Sequence, residues 1–459
     1  MKSSITLLPL LLAGSTVLAQ QKPNIVFILT DDMGWKDLGC YGNKYTETPN
    51  IDSLARSGIL FTQSYAACPV SSPTRASIMT GKYPARLQLT NFIAGNRTDP
   101  ASPVLPAPWK PYLEAREVTI AELLRDAGYA TAMVGKWHLG SHDSIAPWNQ
   151  GFNYTRIIGK NGLDYYNYSI YEDSYRKEFT DNGTHYLTDK LTDYSIEFLA
   201  QNKEKPFFLY LAYSAPHVVI VPRPDKLMKY FRKYNEAEEK FNPYYSAMVE
   251  SIDDGVGRIV KFLKDNGILE NTIVIFTSDN GGLGMDELGP TPTSNLPLRK
   301  WKGHVYEGGI RVPAIVSWQG KIKPGRVSDE YFSSIDYFST LCEIAGIKRL
   351  PADVDGISIL PALFGTGRID SGRPLFWHYP HFSNQMGRPA GAVRLGDYKL
   401  VENYETGEME LYNLKEDISE SGNLSSSMKQ KTRELHELLV KWRKSVNASM
   451  PVPNPGFKK

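Results

Sequence analysis

Short, almost wholly apolar runs that end on polar residues recur along this chain. Asn24-Ile-Val-Phe-Ile-Leu-Thr30 runs into Asp31-Asp32, Pro206-Phe-Phe-Leu-Tyr-Leu-Ala-Tyr213 into Ser214-Ala-Pro-His217, and Asn271-Thr-Ile-Val-Ile-Phe276 into Thr277-Ser-Asp279-Asn280. Unbroken apolar runs of this length mark strands covered on both faces, as parallel strands are. Helical signals lie between them. Thr119-Ile-Ala-Glu122 is a capping box, continued by Leu123 and Leu124, stopped at Gly128 and followed by the strand Ala130-Thr-Ala-Met-Val134. Met248, Ile252, Val256, Ile259 and Phe262 keep a helical period from Tyr244 to about Lys264, and Gly267 ends it. Helix and buried strand in alternation predict an α/β fold with an open, mostly parallel central sheet flanked by helices. Ligands of such sheets gather beyond the carboxyl ends of the strands. Asp31, Asp32, His217, Asp279 and Asn280 fall there, as do Lys136 and His138 on the loop after Val134.

Beyond about residue 370 the pattern changes to alternating stretches: Leu375-Phe-Trp-His-Tyr379, Ala392-Val-Arg-Leu, Tyr398-Lys-Leu-Val-Glu402 and Met409-Glu-Leu-Tyr412. An amphipathic helix follows from about Met428 to Val446. This predicts a small C-terminal antiparallel sheet with one covering helix, and the proline-containing tail Met450 to Lys459 is expected to be loose. At the other end, the apolar stretch Ile5 to Ala19 follows Lys2 and closes on Val17-x-Ala19. That stretch is too short to span a bilayer and reads as a signal peptide, an uncleaved anchor being the alternative. The expected organisation is therefore residues 1–19 signal peptide, 20–370 catalytic domain and 371–459 C-terminal subdomain.

Charge and cysteine content narrow the function. Against 52 Lys and Arg stand 50 Asp and Glu, with no long run of one sign, so no general field exists to hold nucleic acid or a membrane surface. A local basic pocket for an anion remains open. Cys40, Cys68 and Cys342 are too few for a disulfide framework, so an exported chain must rely on its core.

The candidate chemistry is oxygen-rich and basic. Asp31, Asp32, Asp279 and Asn280 arrive as two pairs at two strand ends, and hard cations such as Ca²⁺ or Mg²⁺ prefer oxygen shells. Either pair alone more often caps a helix or turn; their joint placement favours a metal. Val70-Ser71-Ser72-Pro73-Thr74-Arg75-Ala-Ser-Ile-Met-Thr-Gly81 reads as a turn into a helix, with Pro73 suited to the first helical position. Ser71 then lies at a helix N-terminus that favours an anion, although locally Ser71 or Ser72 can simply cap it. Pro297-Leu-Arg299-Lys-Trp-Lys302-Gly-His304-Val-Tyr-Glu307-Gly-Gly-Ile-Arg311 is a basic, glycine-containing loop able to wrap an anionic ester or to lie as a solvated turn.

With these residues in hand, the chain resembles the type I sulfatases of the arylsulfatase family, within the alkaline phosphatase-like superfamily, over nearly all of its mature length. Ser71 to Gly81 fits the first family signature: Cys or Ser, a small residue, Pro, a small residue, Arg, then apolar residues and Gly. Gly128-Tyr-Ala-Thr-Ala-Met-Val-Gly-Lys136-Trp-His138 fits the second. The resemblance implies that Ser71 is oxidised to formylglycine, whose hydrate attacks sulfur, with Asp31, Asp32, Asp279 and Asn280 joining residue 71 around one Ca²⁺. It further implies that Arg75 supports the activated hydroxyl and that Lys136 binds sulfate and aldehyde oxygens. On the same resemblance His138 would take the proton when the sulfated hemiacetal collapses, and His217 and Lys302 would hold the sulfate and assist the leaving alcohol. Cys68 is not the modified residue, since Val70 stands where the signature counted from Cys68 requires Pro. The Ser form is similar to that of bacterial sulfatases matured by a radical-type enzyme, which implies a periplasmic protein with a maturase as partner.

Two other readings compete. A phosphate or phosphonate ester hydrolase of the same superfamily is disfavoured by the lack of His-rich zinc ligation. A non-catalytic binder of sulfated glycans is disfavoured by the complete catalytic set. For the substrate, a sulfated saccharide is expected, with Leu87 to Pro111, Tyr154 to Tyr175 and Trp377-His-Tyr-Pro-His381 as candidate pocket walls.

Overall fold

The computed structural model describes residues 22–159, 164–236, 241–370 and 372–458; the apolar stretch read as a signal peptide lies outside them. The strands in chain order are β1 (Asn24–Thr30), β2 (Ile59–Tyr65), β3 (Val104–Leu105), β4 (Ala130–Gly135), β5 (Tyr154–Ile158), β6 (Asn167–Glu172), β7 (Glu178–Asn182) and β8 (Phe207–Ala212). They continue with β9 (Thr272–Ser278), β10 (Arg311–Ser317), β11 (Arg326–Ser333), β12 (Leu375–Tyr379), β13 (Ala390–Leu395), β14 (Tyr398–Asn403), β15 (Met409–Asn413) and β16 (Val452–Pro453).

Among the described residues the main sheet has ten strands in the order β11-β2-β10-β9-β1-β8-β4-β5-β6-β7. Its centre, from β9 through β1, β8 and β4 to β5, is parallel as expected. The sheet as a whole is mixed: β10 runs antiparallel to both β9 and β2, and β6 and β7 form an antiparallel margin. The apolar run of β1 is continuous because each face of the strand has its own core. Ile25, Phe27 and Leu29 pack with the helices Ser71–Thr80, Ile120–Asp126 and Asp336–Ile344. Val26 and Ile28 pack on the other side with Leu187–Asn202 and Pro243–Asp265. Adjacent residues pointing to opposite faces leave no polar position in such a strand until it ends.

The second sheet is the expected antiparallel one, in the order β12-β13-β14-β15, and the helix Lys429–Ser445 covers it. Leu435, Leu439 and Trp442 of that helix meet Phe376, Val393, Leu400 and Leu411, and Tyr83, Ala85 and Ile335 of the large unit join the same cluster. Phe376 and Trp442 stack with ring centroids 4.6 Å apart. The two sheets are also tied by a buried charge cluster in which the Lys399 ammonium meets Glu307 and Glu420, each at 2.9 Å.

The tail departs from expectation. β16 pairs with β3, the Asn454 side chain donates to the Ser102 carbonyl at 2.8 Å and its backbone N–H donates to Pro103 at 2.9 Å. Proline does not prevent this because β16 is an edge strand, where a missing donor costs nothing on the open side.

Candidate functional site

The parallel pairing of β1 with β9 sets Thr30 beside Ser278, so the two acidic pairs leave the sheet side by side. Asp32 then takes the left-handed conformation, φ +64°. Such a conformation in a non-glycine residue is uncommon and recurs where a function over-determines the backbone. The Asp32 N–H donates to Asp279 Oδ1 at 3.2 Å and the Asn280 amide donates to Asp32 Oδ1 at 2.7 Å, leaving Asn280 Oδ1 turned toward Ser71. Gly281 permits the approach of the loop behind this strand end, since a Cβ there would stand 1.9 Å from the Gly308 carbonyl.

Ser71 is the first residue of the helix Ser71–Thr80, and its Oγ lies 3.1 Å from Asp31 Oδ1 and 3.3 Å from Asn280 Oδ1. Neither serine caps the helix: the N-cap is Val70, without a side-chain cap, and Ser72 Oγ accepts the Ile93 N–H at 3.0 Å. Pro73 is the third helical residue and not the first. Proline is tolerated there for the reason it is tolerated at the first position, because N–H groups of the opening turn lack intrahelical acceptors.

Five basic groups close around these oxygens. Arg75, one turn on, donates from Nε and Nη2 to Asp279 Oδ2 at 3.0 and 2.7 Å, and from Nη1 to the Lys136 carbonyl at 2.8 Å. Lys136 Nζ reaches Asp31 Oδ2 at 2.5 Å. Its loop leaves β4 through Gly135, which has φ +112° and lies where a Cβ would meet the Ala212 carbonyl at 1.9 Å, so only glycine fits. Lys302 Nζ lies 2.7 Å from Asp32 Oδ2 and 3.2 Å from His217 Nε2. His217 Nδ1 is 2.5 Å from the Val218 carbonyl, which makes Nδ1 the protonated nitrogen and Nε2 the acceptor facing Lys302. The Nδ1 of His138, another residue with positive φ (+56°), is buried and has no protein partner.

At Lys302, Arg75, Asp31, His138 and His217 burial works against the charge, and neighbours decide the outcome. At Lys302, burial is outweighed by Asp32 and Asp31, and the ammonium is held above the ordinary lysine range. Arg75 is held up against burial by Asp279 and Asp31. At Asp31 the Lys136, His217, Arg75 and Lys302 charges overcome burial and hold the carboxyl well below the usual range. His138 is pushed far down by burial, then by Lys136 and Arg75; His217 is lowered by burial and by Lys302. The two imidazoles are therefore neutral bases beside fixed cations.

Asp31, Ser71, Lys136, His138, His217 and Lys302 open onto a cavity of about 750 Å³. Arg75, Asp32, Asp279 and Asn280 are buried beside them. All ten sequence-selected residues are thus brought to one place. The walls are only partly those expected. Phe92 and Ile93 come from the first candidate segment, and Ile157, Ile158, Tyr165, Tyr171 and Tyr175 from the second. Trp377 to His381 do not line it: Trp377 donates to the Ala66 carbonyl at 2.8 Å and is buried between the sheets, and His378, on the opposite face of the strand, is buried between Tyr404 and the Ser449 carbonyl. Their alternation belongs to a covered strand. In their place stand Asn384 and Gln385, with Trp137, Ser141, Glu287 and Leu288, none of which sequence reasoning selected. Glu287 and Leu288 lie on the loop after the Asp279-Asn280 strand end, which is the one signal that could have found them.

Asp31, Asp32, Asp279 and Asn280 offer three carboxylates and an amide oxygen within a buried cluster, a donor set that suits a hard divalent cation. Asp31, Asp32 and His217 also place ligating atoms within 4.8 Å of one another. With Arg75, Lys136 and Lys302 cationic, the three carboxylates are just neutralised; a divalent ion leaves the site positive, as an anionic ester requires.

Residues 23–347 match the family model described as Sulfatase, and residues 300–445 match one described as N-sulphoglucosamine sulphohydrolase, C-terminal. The chain is 34% identical to a sulfatase of Formosa agariphila, over 91% of this chain and 87% of that one. It is 35% identical to the N-acetylgalactosamine-6-sulfatase of Homo sapiens, over 83% and 72% respectively. Among solved structures, Ps i-CgsB in complex with k-i-k-neocarrahexaose superimposes with a TM-score of 0.80 at 29% identity, covering 92% of this chain and 93% of the other. Another, BT4656 in complex with its substrate D-glucosamine-2-N,6-O-disulfate, gives 0.71 at 26% identity over 93% and 98%. Among the described residues no helix is long and apolar enough to cross a membrane.

Proposed function

The chain belongs to the sulfatase family and is a sulfuric ester hydrolase, and on that premise we propose that it removes sulfate from a sulfated saccharide, with residue 71 as its nucleophile. The observation that carries this reading is the placement of Ser71 Oγ at 3.1 Å from Asp31, on the face of the carboxylate cluster that opens to the cavity. Family members generally use a metal and a formylglycine, and Ser71 occupies the signature position at which that residue forms. Oxidised to formylglycine, residue 71 would supply a hydrated aldehyde as attacking group; Asp31, Asp32, residue 71, Asp279 and Asn280 would hold a Ca²⁺, which would supply Lewis acidity.

The chain's own residues account for the remaining steps. Lys302, held protonated beside Asp32, and Lys136, beside Asp31, bind the sulfate oxygens on entry. Arg75, locked on Asp279, keeps a positive charge under residue 71. His217, neutral and accepting from Lys302, orients that ammonium toward the leaving oxygen, so that a Lys302 proton can pass to the departing alcohol. His138, with Nδ1 unpartnered and its basicity lowered by neighbouring cations, is placed to take the proton released as residue 71 is regenerated. Preorganised donors of this kind contribute about 3–4 kcal/mol each at developing charge.

Support for a saccharide comes from the aromatic wall of Tyr165, Tyr171 and Tyr175 and from the relatives that act on sulfated sugars. The proposal includes export to the periplasm, based on the apolar run Ile5 to Ala19, and a radical-type maturase acting on Ser71. Sulfate and phosphate release from paired esters of one sugar tests the reaction: sulfate release in large excess is expected, and equal or greater phosphate release would overturn it.

A further inference from the structure

The cavity that receives the sulfate is lined by Lys136, Lys302 and largely apolar and aromatic walls, and beside Asp31 of the carboxylate cluster a second carboxylate, Glu287, stands on it. Glu287 lines the same cavity as Lys302, and its charge acts on the Lys302 ammonium. Among the described residues its hydrogen-bond partners are amides and no cation pairs with it. Both Glu287 oxygens accept the Gln385 amide, at 2.8 Å each, and Asn384 Nδ2 lies 3.4 Å from Oε1. Gln385 is itself fixed: it is 2% exposed, its Oε1 accepts the Ser383 hydroxyl at 2.6 Å, and its carbonyl accepts the Trp301 indole N–H at 2.9 Å. Trp301 neighbours Lys302, so the group that holds Glu287 is anchored to the loop that delivers the sulfate-binding lysine.

A carboxylate has about four lone-pair sites, and the Gln385 amide with the long Asn384 contact leaves acceptor capacity for a ligand in the cavity. Such a group accepts hydroxyl or amide N–H donors and repels a second anion, which is discrimination by an unfavourable contact as much as by a favourable one. An unpaired carboxylate also opposes the general attraction of Lys136 and Lys302 for polyanions, so its presence has no benefit for binding sulfate as such.

Building on the sulfatase reading above, we propose that Glu287, positioned by Gln385, is the specificity-determining residue of this site. It admits saccharides whose groups beside the scissile sulfate are uncharged donors, and it excludes rings bearing a second sulfate or a carboxylate there.

The test reads recognition apart from chemistry. Ser71→Ala protein, which has no nucleophile, is titrated calorimetrically with N-acetylglucosamine 6-sulfate against glucosamine 2-N,6-O-disulfate, and with galactose 6-sulfate against galactose 4,6-disulfate. The monosulfated member of at least one pair is expected to bind at least about tenfold more tightly, and adding Glu287→Gln is expected to bring the two within about twofold by improving the disulfated one. Gln385→Ala, which frees Glu287 without removing its charge, is expected to weaken the preference while keeping its direction. A preference for the disulfated members, an unchanged ratio in Glu287→Gln, or no binding of any of the four sugars would overturn the proposal. Failure of the matured protein to release sulfate, with the binding ratio intact, would strike the parent reading instead.

Discussion

Arg75 places two nitrogens on a single oxygen of Asp279, at 2.7 and 3.0 Å, with both side chains almost fully removed from solvent. Lone buried charges are costly, and breaking such a pair from one side costs about 3–5 kcal/mol. Arg75→Ala is therefore expected to lower the melting temperature as well as activity. Thermal unfolding followed by circular dichroism checks this; a melting curve matching the parent would mean that Asp279 finds another partner.

Lys302 and His217 are expected to act at one oxygen. Lys302→Ala and His217→Ala should each lower turnover roughly 10²–10³-fold. Since the two form one hydrogen-bonded pair, the double variant should lose far less than the product of the single losses. Full multiplicativity in a double-mutant cycle would show that they work independently.

The oxygen donors predict metal linkage. Chelation should lower the melting temperature and addition of Ca²⁺ restore it, with about 2.7 kcal/mol gained at a hundredfold excess over Kd. Asn280→Ala should shrink that gain without abolishing folding, because Asn280 contributes one ligand of several. An undiminished Ca²⁺-dependent rise in the Asn280→Ala variant would remove Asn280 from the ligand set.

Histidine burial predicts acid sensitivity away from the site. His378 donates from Nε2 to the Ser449 carbonyl and accepts the Tyr404 hydroxyl at Nδ1, so it is buried as the neutral form. Burial pushes its pKa down to about 4 from 6.5. A depressed pKa means that the unfolded chain binds the proton first: the stabilisation is complete above about pH 6.5 and is lost as pH falls toward 4. The loss by pH 4.5 should be of order 2 kcal/mol, and a His378→Gln variant should show a flatter stability profile over that window. Parallel pH profiles for the two proteins would contradict this.

Much of the fold was readable because burial on both faces writes itself into a strand as an uninterrupted apolar run. The same run is silent about direction: Arg311–Ser317 is as buried as its parallel neighbours, yet runs antiparallel between β9 and β2. The candidate site was readable since its members sit directly after strand ends or within one helical turn, except Lys302, which was found through the basic, glycine-containing loop that carries it. The pocket walls were not. Glu287 and Gln385 meet across 98 residues through two loops, and Trp377, read as a wall, points instead to Tyr65 at 5.3 Å between the sheets. The tail was misjudged for the same reason, because the pairing of Val452 with Leu105 depends on a backbone edge far away in the chain.

Activity is also expected to be conditional on maturation. Protein produced without a maturase competent for Ser71 should melt at the same temperature as matured protein and differ from it by mass at the peptide carrying Ser71. Its sulfate release should be lower by about 10³-fold or more. A maturase-independent enzyme with unmodified Ser71 and full activity would remove formylglycine from the mechanism while leaving the metal site in place.

The most direct measurement is sulfate released from monosulfated saccharides by matured wild-type protein and by Ser71→Ala, followed by ion chromatography under the same metal concentration. Catalytic release by the wild type and none above background by the variant is the expected result. Comparable release from both, or none from the wild type on any sulfated sugar, would contradict it.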